Sequence, residues 1–423
     1  MKIIIFEDEF CEWLYPLNKL RGSFDIRCGI YTPKERITAL TEGKHEISLF
    51  CRNYLATLLR ENHKCKVNEI KKEEYLFLNG RTIFSYDSLK YIISRKEKNT
   101  FFTSGNEIVA LYLSKENSEF AGQISSKSGF NIKFSGLPEV LKLKKVSLKE
   151  DFDIRIIKYP WEVINHFLYG GLLEDIELYL KINKNLKRTK DSQNIINHKK
   201  VFVSGSAVLK PNYVFDASDG PVIIGENVVI EPFTYIKGPS YIGKNSLIKS
   251  GTKIYGPAVI GEQSKVAGEI AESIFHSYVN KQHDGFVGHS YICPFVNLGA
   301  DTVTSDLKNN YSKIKIGKGS EGIDTGMQFL GSIIGDHTKT SINTMLNTGT
   351  VCGIFANIFG SGFPEKTIDS FAWYDSSLPD EKIQVKYDFK KALQTARTVM
   401  ERRGVVLSES YEKLMKYYYD LPE

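Results

Sequence analysis

IIGENVVIEPFTYIKGPSYIGKNSLIKSGTKIYGPAVIGEQSKV, residues 223–266, counts in sixes. Ile224, Ile230, Ile236, Ile242, Ile248, Ile254, Ile260 and Val266 follow one another at that interval. An α-helix repeats about every 3.6 residues and a strand about every two, so neither accounts for the pattern. A period of six is that of a β-helix, in which three short strands make one coil and each aliphatic side chain points into a prism-shaped core. Glycine follows Ile224, Ile242 and Ile260 as Gly225, Gly243 and Gly261, where the same corner of successive coils needs tight backbone.

Downstream the count shifts by two and resumes at Ile274, Asn280, Phe286, Ile292 and Leu298. A further run through Ile334, Leu346, Cys352 and Ile358 implies later coils, after an interruption near 305–328. VNKQHDGFVGHS (279–290) lies in the stretch after the shift and reads as a loop or corner presenting Lys281, His283 and Asp284 to a groove. Beyond about 376 the period is lost. DFKKALQTARTVMERRG (388–404) and SESYEKLMKYYYDL (408–421) then read as two helices with a stop at Gly404.

Upstream the grammar differs. KIIIF (2–6), ISLFC (47–51), YLFLNGR (75–81) and EIVALYL (107–113) read as strands, and RNYLATLLREN (52–62) and SLKYIISRKEK (88–98) as helices. Their alternation predicts an α/β domain with a largely parallel sheet. A long helical pattern, YPWEVINHFLYGGLLEDIELYLKI (159–182), closes it. KINKNLKRTKDSQNIINHKK (181–200) is rich in lysine against a single Asp and reads as a flexible linker. It lacks the aromatic residues that stack nucleic-acid bases, so no nucleic-acid partner is expected. The expected divisions are an α/β domain at 1–182, a basic linker at 183–200, a β-helix at 201–376 and a helical tail at 377–423.

With 423 residues, 42% hydrophobic and 25% charged, the composition is that of an ordinary soluble protein with room for two domains. The formal charge of +6 is compatible with an anionic substrate such as a phosphate or nucleotide. Six cysteines stand without CxxC spacing, as in a reduced cytoplasmic protein. MKIIIFEDEF (1–10) reads as a buried strand rather than a secretion signal. No window of about 18 apolar residues exists to span a membrane.

The C-terminal half resembles the left-handed β-helix acyltransferases. The two-part order resembles the bifunctional glucosamine-1-phosphate N-acetyltransferase/N-acetylglucosamine-1-phosphate uridylyltransferase family, in its divergent Bacteroidetes-type branch. The residues that carry the resemblance include FEDEFCEWLYPLNKLRGSFDIRCGIYTPKER (6–36), YPWEV (159–163), NKQHDGFVG (280–288), NLGADTVTSDLKNNYS (297–312), IGDHTKTSINTMLNTGTVCG (334–353) and NIFGSGFPEKTIDSFAW (357–373). The resemblance implies a trimer with acetyl-CoA in a groove between subunits, and His283 as general base on the amino group of a sugar phosphate. Asn297 and Gly299-Ala300 stand at the family's spacing from that histidine. Lys281, Asp284, Lys253 and Lys265 are the further candidates for the sugar phosphate, and Ser341 joins Gly299 and Ala300 as a candidate for acetyl-CoA. The chemistry is coherent: an ammonium must lose a proton before it attacks a thioester, and imidazole is suited to take it. His276, His289 and His337 compete with His283; His289 reads as a wall residue and His337 as a neighbour of the cofactor groove. Asp306 stands where the related enzymes carry Asn.

The family's nucleotidyl-transfer half opens on a glycine-rich loop that cradles phosphates, and KIIIFEDEF has none. Arg21 in PLNKLRG (16–22), Arg27 and Lys34 are the candidates for nucleotide phosphate. Asn79 stands where the family places an aspartate that ligates Mg²⁺, and asparagine brings no charge to that task. Asp8 and Asp25 are substitutes between which the sequence does not choose. The favoured reading is acetyl transfer to an amino-sugar 1-phosphate followed by nucleotidyl transfer to a sugar 1-phosphate, with Mg²⁺ for the second step. Two others stay open: a nucleotidylyltransferase whose β-helix only oligomerises or regulates, and a non-catalytic trimeric assembly protein.

Overall fold

The computed structural model describes residues 1–95, 97–127, 133–149, 152–190, 192–317, 322–379 and 383–421. Residue 96 of the helix expected over 88–98, residue 191 of the basic stretch, 318–321 of the interruption and 380–382 of the tail lie outside the described residues. Two compact units are present, one built from 1–27 and 31–162, the other from 28–30 and 163–423.

The first unit contains β1 (Lys2–Phe6), β2 (Glu46–Phe50), β3 (Tyr75–Asn79), β4 (Thr82–Phe84), β5 (Thr100–Ser104), β6 (Glu107–Leu113), β7 (Lys144–Ser147) and β8 (Ile154–Ile156). Six of them form one sheet in the order β2-β1-β3-β6-β5-β7, and β4 pairs with β8. The sheet is more mixed than the sequence pattern predicts: β1 runs parallel to β2 and β3, but β6 is antiparallel to both β3 and β5. The tight β5–β6 connection allows this, because antiparallel neighbours need no crossover. β1 is apolar and buried from Ile3 to Phe6, between two parallel neighbours. Its register sets Phe6 beside Asn79, so the carboxyl ends of β1 and β3 open onto the same place.

The helical pattern over 159–182 is broken into Pro160–His166 and Leu172–Ile182. Between them Tyr169 and Gly170 leave helical geometry, Gly170 at φ +110°, a conformation glycine adopts without strain.

Residues 195–375 form a parallel β-solenoid with three faces. One face carries Val201–Ser204, Val222–Ile224, Ser240–Ile242, Ala258–Ile260, Ile274–Phe275 and Tyr291–Ile292, then Ile333–Ile334, Val351–Cys352 and Thr367–Ile368. The six-residue count maps onto these faces in rotation, and all eight members from Ile224 to Val266 are fully buried. The basic stretch expected to be a flexible linker carries Leu186–Arg188 and Ile195–Ile196 instead. Leu186–Arg188 pairs antiparallel with Val201–Ser204, so its backbone hydrogen bonds go to the edge of the first coil.

The shift in the count has a structural cause. Ile242 pairs with Ile260, but Ile260 pairs with Phe275, so that coil closes in fifteen residues. The following coil takes seventeen, Phe275 to Ile292. As a result the inward column continues from Val266 to Lys281, not Asn280, and from Ile270 to Val287, not Phe286. Asn280 and Phe286 point outward, correcting the register read from the sequence.

One corner bears a stack of rings on successive coils. Tyr278, Phe295, His337, Phe355 and Phe371 all adopt positive φ there. Their ring centroids lie 4.9, 4.9, 4.5 and 4.9 Å apart in order. The tail helices, Phe389–Glu401 and Glu409–Asp420, fold back onto the solenoid, and the Tyr411 hydroxyl meets His337 Nε2 at 2.8 Å. His337 is therefore a fully buried ring of the stack and the docking point of the tail.

Candidate active site

The loop between Asn280–Lys281 and Phe286–Gly288 carries His283 and Asp284, both exposed. Among the described residues the His283 imidazole has no hydrogen bond within the chain. Lys281 anchors the loop from inside: it is 1% exposed, and its ammonium donates to the carbonyls of Ala267 (3.0 Å) and His283 (2.9 Å). Burial pulls its pKa down to about 8. Its charge is thus turned into the prism and committed to backbone, not offered to a phosphate. Gly285, at φ +115°, closes the loop where any Cβ would lie 2.2 Å from the Thr302 carbonyl.

Beside the loop, Asn280 is a hub. Its amide donates to Asn297 Oδ1, while its own oxygen accepts from Gln282 Nε2 (2.8 Å) and Arg403 Nη2 (3.1 Å). Asn297, fourteen residues after His283, therefore stands on the same wall as Gln282, the residue before His283. The Gly299 amide donates to Thr340 Oγ1 at 3.0 Å, and a Cβ on Gly299 would sit 2.4 Å from the Ser341 carbonyl. Ala300 accepts from the Asn343 amide at 2.8 Å. Lys265 is half-buried on this wall, whereas Lys253 is exposed and paired with Glu269 at 3.4 Å.

The competing histidines are engaged. His276 Nδ1 lies 3.0 Å from Ser277 Oγ, and His337 is held in the ring stack. His289 sits between Asp306 and Glu272, each 2.8 Å from one ring nitrogen, and stacks on Phe329. Three residues spaced by seventeen thus form a column across three coils, which answers what Asp306 does in place of Asn. Burial pulls the His289 pKa down, but the hydrogen bonds to Asp306 and Glu272 outweigh it and leave it at about 9. A cation at working pH is no general base. The sign of the linkage follows: a pKa raised on folding adds stability that is complete below about 6.5 and is lost as pH rises through about 9. Melting temperature is expected to fall between pH 7 and pH 10, and His289→Gln is expected to flatten that part of the profile in thermal melts.

In the first unit Asn79 alone of the four nucleotide candidates lines the cavity beside Asp8. Arg21 and Arg27 are buried, Arg21 donating to the Leu17 carbonyl at 2.5 Å, and Lys34 is half-buried on the helix Pro33–Leu40. Asn79 is fully buried: its amide donates to Asp8 Oδ2 (2.8 Å) and the Ile108 carbonyl (2.9 Å), and its oxygen accepts from the Arg81 amide (2.9 Å). Arg81 grips both oxygens of Asp8, at 2.7 and 2.6 Å, and donates to the Ile157 carbonyl at 2.8 Å. Arg52 does the same for Glu7 and ties in the carbonyls of Asn18 and Arg21. Sequence reasoning passes over both arginines, although Arg81 is only two residues past Asn79 in YLFLNGR. Asp8 and Asn79 do not by themselves fit magnesium: the amide brings no charge and the carboxylate is already paired with a guanidinium. Among the described residues no group of three acidic, His or Cys side chains is placed to hold a metal. Asp25, the other substitute considered, lies 2.8 Å from His63 Nε2. A cavity of about 670 Å³ adjoins Asp8 and Asn79, lined also by Glu9, Glu107, Phe10 and Lys145.

Comparison with known proteins agrees with this two-part plan. Residues 3–212 match the sugar nucleotidyl transferase family, and 221–256 match the bacterial transferase hexapeptide family over six repeats. The chain thus joins a domain similar to the sugar nucleotidyl transferases to a solenoid of hexapeptide repeats. Among characterised relatives, a bifunctional sugar-1-phosphate nucleotidylyltransferase/acetyltransferase of Sulfurisphaera tokodaii is 35% identical over 142 residues. That match spans 33% of this chain and 35% of the relative. Solved structures with similarity include a hexapeptide transferase family protein from Anaplasma phagocytophilum (16% identity, 52% of this chain and 92% of that one, TM-score 0.19). Another is AntD, an N-acyltransferase from Bacillus cereus in complex with dTDP and 3-hydroxybutyryl-CoA (16% identity, 49% and 89%, TM-score 0.22). No helix among the described residues is long and apolar enough to cross a membrane.

Proposed function

We propose that the solenoid transfers an acetyl group from acetyl-CoA to the amine of an amino-sugar 1-phosphate, and that the N-terminal half couples a sugar 1-phosphate to a nucleotide. The observation that carries the first half is the contrast among histidines. His283 is exposed with its ring unengaged, on a loop fixed from below by Lys281 and beside Asn297, whereas His276, His289 and His337 are hydrogen-bonded within the chain. In this reading His283 takes a proton from the substrate ammonium, the free amine attacks the thioester carbonyl, and the coenzyme leaves as its thiol. Asn297 and Lys265 position the sugar phosphate, with Asp284 beside the imidazole and Lys253 on the rim. The Gly299–Ala300 backbone and Ser341 line the path of the coenzyme.

For the second half the support is the family match over 3–212, with Lys34, Arg21 and Arg27 as the candidate cations for nucleotide phosphate. No step is assigned to magnesium, because Asp8 is held by Arg81. The protein is proposed to work as a homotrimer in the cytoplasm, where acetyl-CoA and nucleoside triphosphates are at hand. Sedimentation is expected to give three times the mass of the 423-residue chain; a monomer that acetylates at full rate would remove the trimer from the mechanism. The function itself is tested by thiol release from acetyl-CoA with glucosamine 1-phosphate and other amino-sugar phosphates, and by pyrophosphate release with a panel of nucleotides. Absence of both activities would overturn the reading.

A further inference from the structure

The basic stretch at the start of the solenoid belongs to neither proposed transfer site, yet the fold holds it in place. Lys184, Lys187, Arg188, Lys190, Lys199 and Lys200 are all exposed. Leu186–Arg188 pairs antiparallel with Val201–Ser204, setting Arg188 opposite Phe202 and Lys187 opposite Val203. The Thr189 amide and hydroxyl donate to the carbonyls of Val201 (3.1 Å) and His198 (3.3 Å), which brings Lys190 alongside Lys199 and Lys200. Asn197, at φ +59°, turns the chain there, and its side-chain amide donates to the Ala217 carbonyl at 3.1 Å. Cations far apart in a linker are thus gathered at one end of the prism.

Their charge is not balanced locally. Among the described residues none of the six forms an ion pair. Carboxylates of the first coils are engaged elsewhere: Asp219 pairs with Lys237 at 2.6 Å, Glu231 with Lys210 at 3.7 Å, and Asp216 accepts from the Tyr235 hydroxyl at 3.0 Å. Asp191, the one acid of the stretch, lies outside the described residues. Two aliphatic side chains of the same stretch also face solvent, Ile182 at 46% and Ile196 at 48%. Exposed cations interleaved with exposed aliphatic groups suit the headgroup layer of an anionic membrane, which takes both. A nucleic-acid strand is matched less well, because its bases need an open aromatic ring. The ring at this place, Phe202, already lies under the Arg188 guanidinium at 5.7 Å.

We propose that this end of the solenoid rests on an anionic lipid surface, with the lysines and Arg188 meeting the headgroups and Ile182 and Ile196 entering between them. The association is peripheral and reversible. Each cation close to such a surface strengthens binding about fivefold, and the attraction fades within about 10 Å at ordinary salt. It holds whichever reactions the two halves perform.

Co-sedimentation of the full chain with lipid vesicles is the test. Vesicles of equal parts phosphatidylcholine and phosphatidylglycerol are expected to carry the protein down, vesicles of phosphatidylcholine alone are not, and rising salt is expected to release it. Lys187→Gln/Arg188→Gln/Lys190→Gln is expected to weaken binding roughly 10²-fold, the product of three such cations. Lys199→Gln/Lys200→Gln lies outside the paired strand; it acts in the same direction and covers the case in which the first variant disturbs the pairing. Ile182→Ser/Ile196→Ser is expected to weaken binding about tenfold while leaving its salt dependence unchanged. Thiol release and pyrophosphate release in solution are expected to be the same in all three variants as in the wild type. The proposal is overturned if the anionic vesicles leave the protein in solution or if the variants bind them like the wild type. It is also overturned if a single-stranded oligonucleotide binds more tightly than the vesicles at the same salt, which assigns the patch to nucleic acid.

Discussion

His283→Ala is expected to slow acetyl transfer by roughly 10²-fold or more, with the coil around it unchanged. That is the range by which a positioned general base accelerates proton transfer. The substitution is clean because the imidazole is exposed and makes no hydrogen bond within the described residues, so its removal leaves no buried group unsatisfied. The fixed part of the loop is the His283 carbonyl, which accepts from Lys281, and Ala retains it. The loss therefore belongs in kcat rather than in melting temperature. Thiol release from acetyl-CoA, followed beside a thermal melt of each variant, separates the two. Full activity without the imidazole would take His283 out of the mechanism.

Arg81→Met is expected to have the largest effect on stability, about 3–5 kcal/mol from the first unit, the cost of stranding a buried carboxylate. Arg81 is 1% exposed and Asp8 7%. Methionine keeps much of the volume and removes the charge. Chemical denaturation is readable in a Trp373→Phe background, since the two remaining tryptophans, Trp13 and Trp161, both lie in that unit. Adding Asp8→Asn to Arg81→Met is expected to recover part of the loss, because the uncompensated charge then disappears. A variant that unfolds at the wild-type denaturant concentration would show that Asp8 does not depend on its partner.

The period of six makes most of the solenoid legible in the sequence, because a prism core tolerates only an aliphatic side chain at nearly every inward position. The same reasoning fails after Val266. A coil of fifteen residues followed by one of seventeen changes which residue points inward, and a count of hydrophobic positions accepts Asn280 while overlooking a buried lysine. Lys281 cannot be found by hydrophobicity, since an ammonium enters a core only when carbonyls are waiting for it. The Glu272–His289–Asp306 column is visible in principle as a spacing of seventeen between charged residues, but only once the coil length is known. His283, Asn297, Gly299 and Ala300 are candidates through the resemblance, whose offsets they match; the wall that Asn297 shares with Gln282 appears only in three dimensions. Arg403 is not readable, because nothing in ERRG says against which surface a helix will fold. In the first unit the arginines that grip Glu7 and Asp8 come from two other strands' ends, and pairings so distant in sequence leave no local signature.

The strand Leu186–Arg188, antiparallel to the first coil, has a counterpart at the far end, where Gln384–Lys386 runs antiparallel to Ala372–Asp375. A stack of parallel coils has no natural length: its last rung exposes the same unpaired amides and carbonyls that received the rung before. Reversing the chain direction spends those groups, on one face at each end, on a strand that another parallel coil cannot extend in kind. On those faces a second molecule cannot add a coil in the parallel sense, so the two reversed strands oppose end-to-end growth where they lie.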